Sequence, residues 1–199
     1  MSRWPPDAQG RLERAALDLF SERGYQQTTV AQIAERAGLN ERSFYRHFSE
    51  KRDVLSSGQA AMEAAYVQAI SRTPAGAPPM EAIRAGLLAA AALVDGRGEV
   101  AHRRYAVIAA EPELQERELL KRSRLARSID AALQQRGLPA FAARLAAEQA
   151  VGTFSAAYAR WGQATDPDRP ALAAVVEEAL QIWRDLATAE APATTPPAS

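Results

Sequence analysis

The chain has 199 residues, with 24 Lys and Arg against 24 Asp and Glu, so its formal net charge is +0 at pH 7. That balance excludes a protein that coats nucleic acid through bulk charge; any attraction to a polyanion must come from a local cluster. Cysteine is absent, which excludes disulfides, a thiolate metal site and a cysteine nucleophile, while a hydrophobic content of 47% suffices for a large core in one or two domains.

Met1–Gly10 is polar and contains proline. No run of about 18 apolar residues follows, so neither a cleavable leader nor a membrane span is expected, and a soluble cytoplasmic protein is. Leu12, Ala15, Ala16, Leu19 and Phe20 form one face of a first helix. Thr29 is a good N-cap, and Gln32 completes a T-x-x-Q capping box. Val30, Ile33, Ala34 and Ala37 then repeat at helical spacing, and Gly38 ends the helix because glycine takes the left-handed conformation without penalty. Leu39 plugs the turn, and Asn40 caps the next helix, in which Phe44 and Phe48 face inward. Two short helices joined by a glycine-containing turn make a helix-turn-helix, whose second helix enters the DNA major groove. A purely structural hairpin would show the same caps and stripe. The polar side chains of the second helix favour DNA: Arg42 suits guanine or phosphate, Ser43 and Tyr45 suit phosphate oxygens, and Arg46, His47, Lys51 and Arg52 complete a basic cluster. Glu41 sits in the first helical turn, where it complements the helix dipole.

The remainder reads as helical throughout. A fourth helix is expected to begin near Ser49 or Glu50 and run toward Ile70, and Ser71–Pro79 is a connection rich in Pro and Gly. A helix over Met80–Leu93 is broken by Asp95–Gly96–Arg97–Gly98. Others are expected over Glu99–Ala110, from Pro112 to Arg136, from Pro139 to about Ala164, and from about Pro170 to Leu186. Thr165–Asp166–Pro167 reads as a turn and Ala191–Ser199 as a disordered tail. The last two long helices are too broadly apolar for one buried stripe. They either close the monomer core or pair with a symmetry mate in a four-helix bundle, close approach being allowed by Gly152, Ala156 and Ala179.

Met62, Tyr66, Leu87, Leu88, Tyr105, Ile108, Leu125, Phe154 and Trp161 are candidates to line an apolar compartment between the middle helices, although any one of them would serve as ordinary core. His102, Arg103 and Arg104 would meet an anionic head group there, or pair with Glu111, Glu113 or Glu116, or stay solvated. Histidine occurs only at 47 and 102, and no H-E-x-x-H, G-x-S-x-G or phosphate loop is present. No enzyme activity, cofactor or metal site is expected.

Several of these motifs stand together in one familiar order: Leu12–Phe20, Gly24–Tyr25, Thr28–Thr29–Val30, Ile33–Ala34, Ala37–Gly38–Leu39, Ser43–Phe44–Tyr45, His47–Phe48, Lys51 and Leu55. In that order and spacing the segment resembles the DNA-binding domain of the TetR family of transcriptional regulators. The likeness fades past about residue 58, as expected for a family whose C-terminal part diverges. The chain departs from the pattern at Arg42, where the family often has glycine, and Glu41 and Glu50 bring negative charge near the DNA face.

The resemblance implies an all-α protein of about nine helices: a helix-turn-helix domain over 1–52, a ligand-binding and dimerisation domain over 53–188, and a disordered tail over 189–199. It implies DNA contacts from Thr28, Thr29, Asn40, Glu41, Arg42, Ser43, Tyr45, Arg46, His47 and Lys51. A small apolar or amphipathic effector would meet Met62, Tyr66, Leu87, Arg104, Tyr105, Ile108, Phe154 and Trp161; some relatives with an Arg-rich helix sense acyl thioesters. A homodimer would form through Phe141, Leu145, Gln149, Gly152, Ala156, Leu172, Val176, Ala179, Leu180 and Trp183. Such a dimer, most simply a repressor, reads a palindromic operator until an effector pulls the fourth helix and parts the two heads. An activator of the same fold, or a binding module that has lost operator binding, is the alternative.

Overall fold

The computed structural model describes residues 7–166 and 169–188. Among these residues every regular element is helical, so the all-α expectation holds. In chain order they are α1 (Ala8–Arg23), α2 (Val30–Arg36), α3 (Glu41–His47), a 3-10 turn over Lys51–Ser56, α4 (Gln59–Arg72), α5 (Pro79–Asp95), α6 (Glu99–Ala110), α7 (Pro112–Gln135), α8 (Ala140–Gln163) and α9 (Leu172–Thr188). The expected disordered tail and Pro167 of the expected turn lie outside the described residues.

Local chemistry sets most of these boundaries. The Thr29 hydroxyl accepts from the Gln32 backbone N–H at 3.2 Å while the Gln32 amide oxygen accepts from the Thr29 N–H at 3.0 Å. An N-cap of this kind is worth about 1 kcal/mol. At the other end of α2, the Leu39 N–H reaches the Ala34 carbonyl (2.8 Å) and the Gly38 N–H reaches Glu35 (2.9 Å). That pairing satisfies the last carbonyls and requires the φ of 66° found at Gly38. Asn40 Oδ1 then accepts from the Ser43 N–H at 2.9 Å and starts α3.

The fourth helix begins later than its periodicity suggests. Glu50 and Asp53 form a reciprocal cap on the 3-10 turn, and Gly58, at φ 94°, separates that turn from α4. The stretch expected to open α4 is instead a connector.

Two apolar clusters result. The first joins Leu12, Phe20, Ile33, Phe44, Phe48, Val54 and Leu55, and it also takes in Val107, Ile108 and Leu114 from α6 and α7. The second is built from α4, α5, α7, α8 and α9 around Tyr66, Leu87, Ile129, Leu133 and Phe154. The N-terminus of α9 docks on the end of α5, where the Asp95 carboxylate accepts from the N–H groups of Leu172 (2.7 Å) and Ala173 (3.1 Å).

This packing corrects part of the expected dimer surface. Leu172, Val176 and Leu180 belong to the second cluster, exposed by 4% at most. Their i, i+4, i+8 spacing closes the monomer, and Ala179 is partly buried against the same cluster. On α8, by contrast, Phe141 is 82% exposed and Leu145 52%, with Gln149, Gly152 and Ala156 exposed on the same side. On α9 it is Ile182, Trp183 and Leu186 that face outward. Glu177 and Glu178 engage Arg84 and Arg160 respectively.

Candidate functional site

Helix α3 turns Phe44 and Phe48 into the core, their rings 5.3 Å apart, and leaves Glu41, Arg42, Tyr45, Arg46 and His47 exposed. No ion pair holds Arg42 or Arg46 among the described residues, so both guanidinium groups are available to a polyanion. The rest of the expected cation cluster is otherwise engaged. Lys51 Nζ donates to the carbonyls of Tyr25 (2.7 Å) and Thr28 (2.9 Å) and lies 4.1 Å from the centre of the Tyr25 ring. Burial pushes its pKa below the usual lysine value, against the pull of Glu113 and Glu111. Arg52 pairs with Glu50 at 2.7 Å and Glu113 at 3.4 Å.

Two further members of the expected DNA-facing set also turn inward. Thr28 is 2% exposed, and its hydroxyl donates to the Gly24 carbonyl at 2.8 Å, closing the turn after α1. Ser43 is buried in the first turn of α3. Thr29 and Asn40 are exposed, but their side chains serve as caps. The sequence reading missed Arg11, whose guanidinium donates to the Ala37 carbonyl and braces the turn between α2 and α3 from α1.

A cavity of about 580 Å³ opens between α4, α6, α7, α8 and the end of α5. That size falls in the range of small-molecule sites. Of the candidates, Met62, Arg104, Tyr105, Ile108, Leu125 and Phe154 line it. Tyr66, Leu87, Leu88 and Trp161 do not. Tyr66 and Leu87 are sealed in the second cluster at 1% and 0% exposure, and Leu88 packs against that cluster from its edge. Trp161 is likewise core, stacked on Tyr158 with ring centres 5.7 Å apart.

Lining residues absent from the sequence reading include Tyr158, Glu118, Lys121, Arg122 and Arg97. Glu118, Lys121, Arg122 and Leu125 stand at i, i+3, i+4, i+7 on α7, and that shared face was the available signal. Glu118 accepts from Arg104 at 2.8 Å and from Lys121 at 2.6 Å. Burial would push the Glu118 carboxyl up, but the two cations outweigh it and hold it below the ordinary range. For Lys121 burial prevails and its pKa is lowered, while for Arg104 the cost of burial is outweighed, chiefly by Glu118, and its pKa is held up. Burial raises the Tyr158 phenol, which stays protonated.

The same arginines reach into the N-terminal head. Arg104 Nε donates to the Leu55 carbonyl at 2.6 Å. Arg97 donates to the Ser57 carbonyl at 2.7 Å and to the Glu13 carboxylate of α1. Arg103 pairs with Asp18, and Arg117 bridges Glu50 and Asp53. The acidic partners expected for the His102–Arg104 run, Glu111, Glu113 and Glu116, are thus replaced by Asp18 and Glu118. His102 Nε2 instead lies 3.0 Å from the Ala164 carbonyl oxygen. No helix among the described residues is long and apolar enough to cross a membrane.

Comparison with known proteins adds to this geometry. Residues 13–57 match the family model for bacterial regulatory proteins of the tetR family, and residues 77–187 match that for the MftR C-terminal domain. The HTH-type transcriptional regulator TcmR of Streptomyces glaucescens is 41% identical over 73 residues, covering 37% of this chain and 32% of that protein. The regulator YerO of Bacillus subtilis (strain 168) is 30% identical over 77 residues, covering 37% and 27%. The chain therefore matches about a third or less of the length of these curated relatives. Among solved structures, a TetR-family regulator from Syntrophomonas wolfei superposes with a TM-score of 0.66 at 15% identity, over 94% of this chain and 98% of that one. FadR of Bacillus subtilis, in complex with stearoyl-CoA, gives 0.61 at 21% identity over 87% and 96%. At such identities the likeness is one of fold.

Proposed function

Because the chain belongs to the tetR family of bacterial regulatory proteins and is a transcriptional regulator, we propose that it is a homodimeric repressor released from its operator by a small molecule bound in the cavity. In this reading Arg42, Tyr45, Arg46 and His47 meet the duplex, with Glu41 at the helix start and Thr29 and Asn40 shaping the approach. Two such heads, about 34–36 Å apart, read the half-sites of a palindrome in the cytoplasm. The exposed faces of α8 (Phe141, Leu145, Gln149, Gly152, Ala156) and α9 (Ile182, Trp183, Leu186) pair across the two-fold axis. The head (1–52) and the body (53–188) meet at the 3-10 turn.

The observation that carries this reading is the double role of Arg104. Its guanidinium lines the cavity and also holds the Leu55 carbonyl of the turn leading into α4. A molecule that draws Arg104 toward itself loosens the seam between head and body. It releases DNA only to the extent that it binds the released state more tightly, typically by about 1–3 kcal/mol of coupling.

The test is a mobility-shift titration with DNA from upstream of the chain's own reading frame, at several salt concentrations. A sequence-selective shift that survives competitor DNA is expected, and its absence at low salt overturns the reading. The same titration with Arg104→Met tests the trigger: with the Leu55 carbonyl no longer held, the variant should bind DNA more weakly even without ligand and respond less to any cavity ligand.

A further inference from the structure

The cavity wall carries a buried excess of positive charge. Six charged side chains line it: Arg97, Arg104, Lys121, Arg122, Glu63 and Glu118. Arg97 is neutralised from outside by Glu13, Arg122 is exposed at the rim, and Glu63 accepts from the Ser128 hydroxyl. Glu118 is therefore left to serve both Arg104 and Lys121, whose side chains are only 17% and 13% exposed. One carboxylate cannot neutralise two cations, and an unbalanced buried charge is costly unless something pairs with it. Ser56 also lines the cavity, although its hydroxyl is buried and without a hydrogen-bond partner. Most of the remaining wall is apolar and aromatic, with Met62, Leu125, Val151, Phe154 and Tyr158.

We propose that the cavity takes an amphipathic monocarboxylate, its anionic end held by Lys121 and Arg104 and its apolar or aromatic body packed against Phe154, Tyr158 and Met62. The excess is a single charge, which matches a carboxylate better than a phosphate dianion. Lys121 spends one N–H on Glu118 and has others to offer. A cavity of about 580 Å³ leaves room for a compact hydrophobic body behind the head group. The inference rests on the reading of this cavity as the effector site.

Isothermal titration calorimetry on the full chain tests it, with 4-phenylbutyrate and octanoate set against their neutral amides. Each acid should bind at least about tenfold more tightly than its amide. Lys121→Met leaves Arg104 and Glu118 paired one to one, so it should fold, keep its affinity for the amides and lose the preference for the acids. Glu118→Gln should strengthen acid binding by about tenfold. Equal affinity for acid and amide, an acid preference unchanged in Lys121→Met, or no binding of any of these probes overturns the proposal. A mobility shift with the same probes keeps the two levels apart. Amides that bind and release DNA would sink the carboxylate while sparing the effector reading. Acids that bind as expected but leave the DNA complex intact would spare the site and sink its role as a trigger.

Discussion

Lys51 offers the sharpest test of how charge is divided on the head. Lysine at this position looks like a phosphate contact in the sequence, but its ammonium is tied to the carbonyls of Tyr25 and Thr28. Lys51→Met keeps the aliphatic stem and removes the donors. Leaving those part-buried carbonyls without their charged partner should cost about 1–3 kcal/mol. For a chain of this size that lowers Tm by about 2–4 °C per kcal/mol. The salt dependence of DNA binding should barely change. Arg46, by contrast, is exposed on α3 with no ion pair among the described residues. Each cation meeting a phosphate contributes about −0.9 to the slope of log K against log salt, so Arg46→Ala in a dimer should flatten that slope by about 1.8 with little change in Tm. Fluorescence anisotropy between about 50 and 200 mM salt, with a melting curve for each variant, reads both quantities. If Lys51→Met flattened the slope as much as Arg46→Ala and left Tm intact, the assignment of Lys51 as an internal staple would be wrong.

The other predictions concern the body. Phe141→Asp, at a site 82% exposed, should halve the particle mass seen by light scattering while helicity persists; an unchanged mass would remove the α8 face from the interface. Leu180→Asp is the contrast, since a charge at a 4% exposed position should cost more than about 3 kcal/mol and unfold the monomer. Glu118 shapes the acid limb of stability. Its folded pKa lies below the ordinary 4.5, so it stabilises the fold fully above 4.5, and that contribution is lost as pH falls through the lower folded value. Glu118→Gln should therefore flatten the melting profile below about pH 4.5, and an acid limb as steep as that of the parent would count against the pairing.

What was legible in the sequence was local. Thr29, Gln32, Gly38 and Asn40 announce the helix-turn-helix because caps and left-handed residues act within four positions of themselves. The bounds of α6 could be read in the same way from Gly98 and Pro112. The partners of the charged residues could not. Lys51 meets carbonyls 26 and 23 residues away, and Arg103 meets Asp18 across 85 positions. Nothing in periodicity encodes such separations. The faces of α9 were ambiguous for another reason. Leu172, Val176 and Leu180 form one apolar stripe and Ile182, Trp183 and Leu186 another, and only packing against α5 and α8 decides which is inside. The late start of α4 was hidden because Val54 and Leu55 are apolar in either a helix or a 3-10 turn.

Val107, Ile108 and Leu114 share one apolar cluster with Phe20, Phe44 and Phe48. A head excised at the connector would lose these three plugs, each worth about 1.5–3 kcal/mol of burial. Head and body should therefore melt in one cooperative transition rather than as two. Transplanting a DNA-reading head from a relative would leave a hole unless the end of α6 and the start of α7 travelled with it, so operator specificity in this fold is grafted together with the floor on which the head stands.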